Sequence, residues 1–379
     1  MGCLSRCRRG GSAHEQLRSK AMFSYDVVEH GKPLQVRLRE TPTPKGREVL
    51  VKVTHAGLCH SDIHLWEGYF DMGGGKKAML SERGLRPPLT LGHEPLGTIV
   101  ACGENVSEVA VGQKKLVFPW IGCGTCRACE IGRANLCAKP RNLGIAMPGA
   151  FASHLLVPDE KYLVDVDGLD DAFAATLACS GLTSYAAVAK LPQPCAGDWV
   201  AVIGCGGVGM SAISILRARG VENVVACDVD EDKLAAAREL GATRTLRSNH
   251  ARAEAELLAL TEGRLVGAID FVGMPATFAV ANAALCKGGM YVIVGLHGGE
   301  LSIPMPPIAQ RSLAIVGSFV GTLDDLKATV QLARNGKLRP PPLRMRSAND
   351  INDAFEDLGS RRVLGRTVLD FSGIEIAGA

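Results

Sequence analysis

The first part of the chain has the pattern of β-structure. Between residues 23 and 53, β-branched residues alternate with polar ones around turn residues such as Gly31 and Pro33, which is typical of short antiparallel strands. The same pattern returns at residues 96–100, 115–118 and 152–157. A helical pattern follows at residues 170–190. We therefore predict a β-rich first domain that ends in a helix.

The pattern changes after Asp198. A short apolar strand at 199–203 leads through a glycine turn into an apolar helix at 208–219, and a second strand and helix follow at 223–227 and 231–240. Such alternation predicts a parallel sheet covered by helices. Further strands are predicted at 268–272, 290–294 and 313–319. The fold class is therefore α/β.

The last part of the chain is predicted to return to the first domain. A helix, a proline run, a helix at 351–358 and a strand at 366–371 follow Leu323. A terminal strand satisfies its backbone groups most easily by joining an existing sheet. The predicted division is a disordered extension at 1–21, a first domain at 22–187, a parallel-sheet domain at 188–322, and a return to the first domain at 323–379.

Composition limits the class of protein. A chain of 379 residues has room for two domains. Apolar residues make up 47% and charged residues 21%, as in a folded globular protein. The net charge of +3 indicates no surface for a polyanion, so we expect no nucleic-acid partner.

Targeting signals are weak. No apolar run approaches the roughly 18 residues that cross a bilayer, so we expect no membrane partner. Residues 1–21 carry five basic residues and one acid without an apolar core, which argues against a secretory signal and leaves a transit peptide as the alternative to a disordered extension. The initial Met-Gly lacks the Ser or Thr of a myristoylation signal, because Arg6 stands there. Clustered thiols indicate a reducing compartment, and we predict a cytoplasmic protein.

A glycine motif lies between the first parallel strand and its helix. Residues 204–209 read GCGGVG, and an acid, Asp228, ends the next strand about twenty residues later, which completes the dinucleotide fingerprint of a Rossmann domain. The alternative is that the glycines only tighten a turn. The motif places the pyrophosphate at the helix N-terminus. The positions that form it are Gly204, Gly206, Gly207, Val208 and Gly209.

Asp228 indicates which dinucleotide is used. A carboxylate at this point accepts hydrogen bonds from the adenosine ribose and repels a 2′-phosphate. The four residues after it include three acids and no base, and Lys233 is the first base. The sequence therefore predicts NAD in preference to NADP.

Four cysteines lie within fifteen residues. Cys123, Cys126, Cys129 and Cys137 have the spacing C-x2-C-x2-C-x7-C. Four thiolates complete a tetrahedron around zinc and leave no open position, so this site is predicted to be structural. An iron–sulfur cluster is disfavoured by the long last interval and by Ala138 in place of proline. Disulfide pairing is the other alternative.

A second group of possible ligands is less specific by itself. GLCHSDIH at residues 57–64 is followed about thirty residues later by Gly92-His93-Glu94, and such residues could each belong to a core. In order and spacing, however, GLCHSDIH, GHE, the four cysteines, CSGLTSY at 179–185 and GCGGVG resemble the zinc-containing alcohol dehydrogenases of the medium-chain dehydrogenase/reductase superfamily. The resemblance extends from about Met22 to the end. It implies a β-rich GroES-like catalytic domain beside a Rossmann doubly wound parallel sheet.

The resemblance also implies a catalytic zinc and a proton relay. Cys59, His93 and Cys179 match the three protein ligands, with a fourth position open. Glu94 matches a carboxylate that can move onto the metal. The remaining matches are Asp62, which orients the ligand histidine; Ser61 and His64, which relay the proton; and His60, Lys233, Val294 and Arg366, which contact the cofactor.

The implied activity is reversible, NAD-dependent oxidation of a primary or secondary alcohol to an aldehyde or ketone, with two zinc ions per chain. The implied protein is a homodimer or homotetramer, and strand 313–319 is predicted to pair with its symmetry mate. Zinc-free reductases are disfavoured because both ligand sets are complete, and polyol dehydrogenases are disfavoured by Cys179. A non-catalytic protein that binds zinc and nucleotide is the alternative from another class.

Residues 69–88 form a longer link between His64 and His93 than is usual in this family. Within it, we predict that residues 71–88 form a mobile cover over the catalytic zinc, with a plain surface loop as the alternative. Trp66, Phe70, Phe118 and Trp120 stand near positions that line the alcohol pocket in the family. They imply a small apolar or aromatic substrate, although each could also be core.

Overall fold

The computed structural model describes residues 21–374. The predicted disordered extension at 1–21 therefore lies, apart from Ala21, outside the described residues. Within them, the chain forms a β-rich domain and a parallel-sheet domain. None of the helices between residues 21 and 374 is long and apolar enough to cross a bilayer.

The first domain contains ten strands before the chain leaves it. They are β1 (Met22–Val27), β2 (Gln35–Arg39), β3 (Val49–Leu58), β4 (Tyr69–Asp71), β5 (Lys77–Met79), β6 (Leu89–Thr90), β7 (Pro95–Cys102), β8 (Lys114–Val117), β9 (His154–Val157) and β10 (Leu163–Val164). Its helices are α1 (His60–Glu67), α2 (Arg127–Glu130), α3 (Asp171–Thr176) and α4 (Leu182–Val188).

The parallel-sheet domain follows. Its strands are β11 (Trp199–Ile203), β12 (Asn223–Asp228), β13 (Arg244–Arg247), β14 (Leu265–Asp270), β15 (Leu285–Ile293) and β16 (Ala314–Gly317). Its helices are α5 (Gly207–Ala218), α6 (Glu231–Glu239), α7 (Ala253–Leu260), α8 (Pro275–Ala284) and α9 (Met305–Arg311). The remaining elements are α10 (Leu323–Arg334), β17 (Leu343–Ser347), α11 (Ile351–Gly359) and β18 (Arg366–Asp370).

Strand β3 is the centre of the first domain. It lies between β7 and β18 in a seven-stranded sheet of order β10-β8-β7-β3-β18-β17, and β9 also pairs with it. Its apolar side chains are almost completely buried, and its register with β7 shifts at two irregularities, between Leu50 and Val51 and between Val53 and His55. β18 pairs antiparallel with β3, so the last strand lies in the sheet of the first domain. Strand β3 ends beside the candidate site, at Leu58.

The second sheet has the order β13-β12-β11-β14-β15-β16 with all strands parallel, as predicted. β12 and β13 lie on one side of β11, and β14, β15 and β16 lie on the other. The strand order therefore reverses between β11 and β14, and in such folds ligands bind in the crevice at the carboxyl ends of these two strands. The sequence pattern missed β13 and α7. β13 is a short edge strand of sequence RTLR, too polar to give an alternating apolar signal.

The long link was predicted to be a loop, and this was wrong in part. β4 and β5 form a hairpin, and a 3₁₀ turn at Leu80–Arg83 follows. The hairpin turns through Gly73, Gly74 and Gly75, all with positive φ, which glycine adopts without steric cost. Because each strand has only three residues, alternation was too short to predict them.

Candidate active site and metal centres

Four buried side chains meet at the end of β3. Sulfur atoms of Cys59 and Cys179, a ring nitrogen of His93 and a carboxylate oxygen of Glu94 lie within 4.8 Å of one another. The two sulfurs are 3.9 Å apart, close to the edge of about 3.8 Å in a tetrahedron with Zn–S bonds of about 2.3 Å. The fold therefore brings together the residues that the resemblance implied.

These side chains come from different elements. Cys59 follows β3 and is the N-cap of α1, whereas His93 and Glu94 lie between β6 and β7. Cys179 stands in a π-helical turn at Leu177–Gly181, a distortion that is frequent at functional sites. Gly57 leaves room for Glu94, since a Cβ there would lie 1.8 Å from its Oε2.

His93 is oriented from behind by Asp62. Its Nδ1 lies 3.1 Å from Oδ1 of Asp62, whose Oδ2 accepts a hydrogen bond from the backbone N–H of Cys59. The buried Nε2 of His93 has no hydrogen-bond partner among the described residues. A buried polar atom without a partner is rare and calls for an explanation. Together with two thiols, it fits zinc with one open position.

Glu94 and Arg366 form a buried ion pair, with Nη2 2.5 Å from Oε1. Burial raises the pKa of Glu94 to about 7, although the guanidinium opposes this rise. The second oxygen, Oε2, has no partner in the described part of the chain. The resemblance implied that Arg366 contacts cofactor phosphate. The side chain of Arg366 also lies against Gly207. Arg366 therefore extends from the set of Cys59, His93, Glu94 and Cys179, called the zinc cluster below, to the glycine turn.

Helix α1 carries the implied relay. Ser61 is in its first turn and His64 is one turn further on, with its ring 5.3 Å from that of His60. Burial lowers the pKa of His64, and nearby His297 adds to this, whereas Cys59 acts in the opposite direction. His64 therefore stays neutral, and able to accept a proton, at a lower pH than a histidine with an ordinary pKa. His64 is outside the set of side chains that could hold a metal at Cys59.

The four-cysteine loop is also assembled. All four sulfurs lie within 4.8 Å of one another, and Cys126 is 3.6 Å from Cys129 and 3.7 Å from Cys137. Backbone amides of Cys123 and Lys139 donate hydrogen bonds to the sulfur of Cys137, which fix its position. The thiols are free, so the disulfide alternative is wrong in this structure. The arrangement fits a closed tetrahedral zinc site.

The glycine turn has the geometry of a phosphate site. Gly204 has φ +87°, and a Cβ on Gly209 would lie 1.9 Å from the Gly204 carbonyl oxygen. Gly206 is the N-cap of α5, so the first amides of that helix are free to bind an anion. Val208 lies in the first turn of this helix.

Asp228 ends β12 beside this turn. Its carboxylate accepts backbone hydrogen bonds from Cys205, Val229 and Asp230, which fix its orientation. Lys233 lies in the first turn of α6. Val294 follows β15, where its N–H donates to the carbonyl of Asp270. Asp228 and Arg366 thus both contact the glycine turn, Asp228 at Cys205 and Arg366 at Gly207.

The aromatic residues divide into two pairs. Trp120 lies 5.4 Å from the His93 ring and Phe70 lies 5.2 Å from the His64 ring. Trp66 packs against Phe355, and Phe118 is buried against Tyr162. Of these four, Trp120 and Phe70 contact the rings of His93 and His64, whereas Phe118 is buried in the core and Trp66 is half-buried at its edge.

Phe319 was missed as a site residue. Its ring lies 6.0 Å from Trp120, and its carbonyl accepts a hydrogen bond from Asn135 in the four-cysteine loop. Phe319 comes from the loop after β16, far from Trp120 in sequence, so no local motif could reveal the contact.

Two family profiles match the chain. One is described as "Alcohol dehydrogenase GroES-like domain" and matches residues 45–168. The other is described as "Zinc-binding dehydrogenase" and matches residues 207–335. Together they define a zinc-binding dehydrogenase with a GroES-like domain and a Rossmann-type domain.

Full-length relatives narrow the assignment. The chain is 37% identical to an NAD-dependent alcohol dehydrogenase of Saccharolobus solfataricus, over 92% of this chain and 99% of the relative. A protein of the same description from Sulfurisphaera tokodaii is 36% identical with the same coverage. The chain therefore belongs to the zinc-type alcohol dehydrogenase family.

Solved structures agree with this assignment. The alcohol dehydrogenase of Aeropyrum pernix matches with a TM-score of 0.83 and 31% identity, over 92% of this chain and 99% of that one. D-arabinose dehydrogenase of Sulfolobus solfataricus matches with a TM-score of 0.75 and 27% identity, over 92% and 99%. The fold thus occurs with more than one kind of substrate, so the substrate must be argued from the site.

Replacing His64 with Ala should slow alcohol oxidation most at low pH. Neutral His64 accepts a proton in acid, where direct loss of a proton to water is slowest, and general base catalysis is worth roughly 100-fold or more. We expect kcat to fall by about that factor near pH 6 and by less near pH 9, with zinc content unchanged. His55→Gln, on β3 away from the cluster, is the control. Loss of zinc from His64→Ala would contradict the relay role.

Proposed function

We propose that the protein catalyses reversible, NAD-dependent oxidation of a primary or secondary alcohol to an aldehyde or ketone. The observation that carries the proposal is the buried set of Cys59, His93 and Cys179, in which the unpartnered Nε2 of His93 faces two thiols. Cys59 is the N-cap of the helix that carries Ser61 and His64, and Arg366 contacts both Glu94 and Gly207 of the glycine turn. Membership of the family supports the same activity.

Each group of residues has a distinct role in the proposed reaction. Cys59, His93 and Cys179 would hold a zinc ion, which when bound supplies a Lewis acid that lowers the pKa of an alcohol. The glycine turn and Asp228 would hold NAD, which supplies the hydride acceptor. Ser61 takes the hydroxyl proton and His64 passes it toward solvent. Asp62 keeps the ring of His93 in place.

The direct test is an assay of NADH formation with a panel of alcohols. We expect turnover with simple primary or secondary alcohols, and NADH consumption with the matching aldehydes or ketones. Because one similar structure is an arabinose dehydrogenase, the panel includes sugars and polyols. Turnover of these alone would favour the polyol alternative. No turnover with any compound in either direction would favour a non-catalytic protein.

We further propose two zinc ions per chain. Cys59→Ser should lose one ion and the activity while keeping the fold. Cys137→Ser should lose the other ion and unfold roughly 10 °C lower, since each kcal/mol lost is worth about 2–4 °C in a domain of this size. Metal analysis and thermal unfolding measure both effects. Exposed Cys195 lies outside both sets, so Cys195→Ser is the control. One zinc or none in the wild type would contradict the two-site proposal.

NAD should be preferred to NADP. The carboxylate of Asp228 would face a 2′-phosphate, and two unit charges about 4 Å apart interact by roughly 4 kcal/mol at an effective dielectric of 20. We expect kcat/KM for NAD to exceed that for NADP by about 100-fold or more, and Asp228→Asn to reduce this ratio. Asp230→Asn, two residues away, is the matched control. Equal kcat/KM values in the wild type would contradict the assignment.

We propose that the protein assembles in the cytoplasm as a homodimer or homotetramer in which β16 pairs with its symmetry mate. β16 is an edge strand, with half-buried Ile315 and Val316 and exposed Phe319 nearby; such edges favour pairing.

Light scattering should therefore give an even number of subunits. Hydrogen exchange should show the outward amides of β16 protected, while those of β13, the opposite edge of the same sheet, exchange faster. A monomer, or an oligomer with equally fast exchange at both edges, would contradict this pairing.

A further inference from the structure

The chain leaves the parallel-sheet domain through a strained loop, residues 318–322, which leads from β16 into α10. Val320 in this loop is buried and has φ +39°, in the left-handed region that β-branched residues rarely occupy. Backbone strain of this kind persists only where the surrounding structure holds the chain in place. The conformation of the loop therefore depends on the side chains that contact it.

Asn135 of the four-cysteine loop contacts this loop from the first domain. Asn135 stands two residues before Cys137, and its Nδ2 donates a hydrogen bond of 2.9 Å to the carbonyl oxygen of Phe319. Within residues 21–374, this is the one hydrogen bond that reaches the backbone of residues 319–321. The position of the strained loop is therefore tied to the four-cysteine site.

The side chain of Phe319 connects the same loop to the zinc cluster. Its ring lies 6.0 Å from that of Trp120, and the ring of Trp120 lies 5.4 Å from that of His93. The indole N–H of Trp120 also donates a hydrogen bond to the carbonyl oxygen of Ala178, the residue before Cys179. Phe319 is thus linked to the four-cysteine loop through its backbone and to the zinc cluster through its ring.

The loop also lies on the side of the sheet where the reactive half of a dinucleotide belongs. The glycine turn follows β11, and Asp228, which would hold the adenosine ribose, ends β12 on one side of it. A dinucleotide bound across this crevice extends its nicotinamide half to the other side, toward the ends of β14, β15 and β16. There the amide of Ser318 donates to the carbonyl of Ile293, directly before Val294, which the resemblance implied as a cofactor contact. The loop therefore borders the nicotinamide end of the crevice.

We propose that Asn135 is a positioning residue, whose hydrogen bond to Phe319 holds the loop after β16 so that the nicotinamide faces the zinc cluster. The four-cysteine loop thereby takes part in aligning the reactants, in addition to its structural role. Asn135 acts through Phe319 and not on the substrate itself. The proposal rests on the proposed alcohol dehydrogenase activity.

The test compares two ligands of the zinc-loaded protein by calorimetric titration. NADH carries the nicotinamide, whereas ADP-ribose has the same adenosine and pyrophosphate but lacks that ring. Asn135→Leu keeps the size of the side chain and removes its hydrogen-bond donor. Since a neutral hydrogen bond is commonly worth about fivefold in an equilibrium constant, we expect Kd for NADH to rise by about that factor and Kd for ADP-ribose to stay unchanged. Leu136→Gln, at an exposed position of the same turn, is the matched control and should change neither Kd.

A second measurement follows the first turnover with NAD and alcohol both saturating. The rate of NADH formation should fall about tenfold in Asn135→Leu, because small misplacements of reactants slow chemistry strongly. Asn135→Gln, which keeps an amide donor, should restore most of the rate and of the NADH affinity. Zinc content and Tm should stay at wild-type values in both variants.

The outcomes separate positioning from a purely structural role. Equal weakening of NADH and ADP-ribose, loss of a zinc ion from Asn135→Leu, or unchanged binding and rate would each overturn the proposal. A wild-type protein that binds NADH but oxidises no alcohol would reject the proposed function, and the comparison of NADH with ADP-ribose would still decide the role of Asn135.

Discussion

The burial of ionisable groups at the end of β3 is the constraint on which the rest of the structure depends. Burying a charge is costly unless it is paired, yet Glu94 and Arg366 are both buried there beside two thiols and His93. The Glu94–Arg366 contact joins the turn before β7 to the start of β18. The return of the chain to the first domain is therefore required for the site as well as for the sheet.

Local motifs indicated two parts of the candidate site, the glycine turn and the four cysteines, but could not indicate how the parts are connected. The glycine turn and the four cysteines are continuous in sequence, so the physical role of each residue follows from spacing. Cys59, His93 and Cys179 were assigned only through the resemblance, because nothing local shows that they meet. The Glu94–Arg366 pair joins residues 272 positions apart, and spacing alone does not predict such a contact.

The same holds for the fold: elements with a pattern in their own sequence were predicted, and elements that depend on distant contacts were not. Apolar periodicity predicted the long buried elements, such as β11 and α5, and the last strand. It failed for the β4–β5 hairpin and for β13, whose strands are too short or too polar to show a period. The hairpin gains its order from packing on Gly298 and Glu300 of the other domain, and a distant contact of this kind leaves no pattern in its own sequence.

Two buried carboxylates, Asp270 and Glu94, differ in how completely their oxygens are hydrogen-bonded, and this difference indicates a structural role for one and a chemical role for the other. Asp270 has four hydrogen-bond donors on its two oxygens, so it supports the loop after β14 and offers nothing to a ligand. Glu94 has one oxygen paired and the other without a partner, next to an equally unpartnered His93 nitrogen. Native structures leave few buried polar atoms unsatisfied, and those that remain mark places where another group binds. By this criterion the chemistry belongs at the cluster of Cys59, His93, Glu94 and Cys179, and not at Asp270.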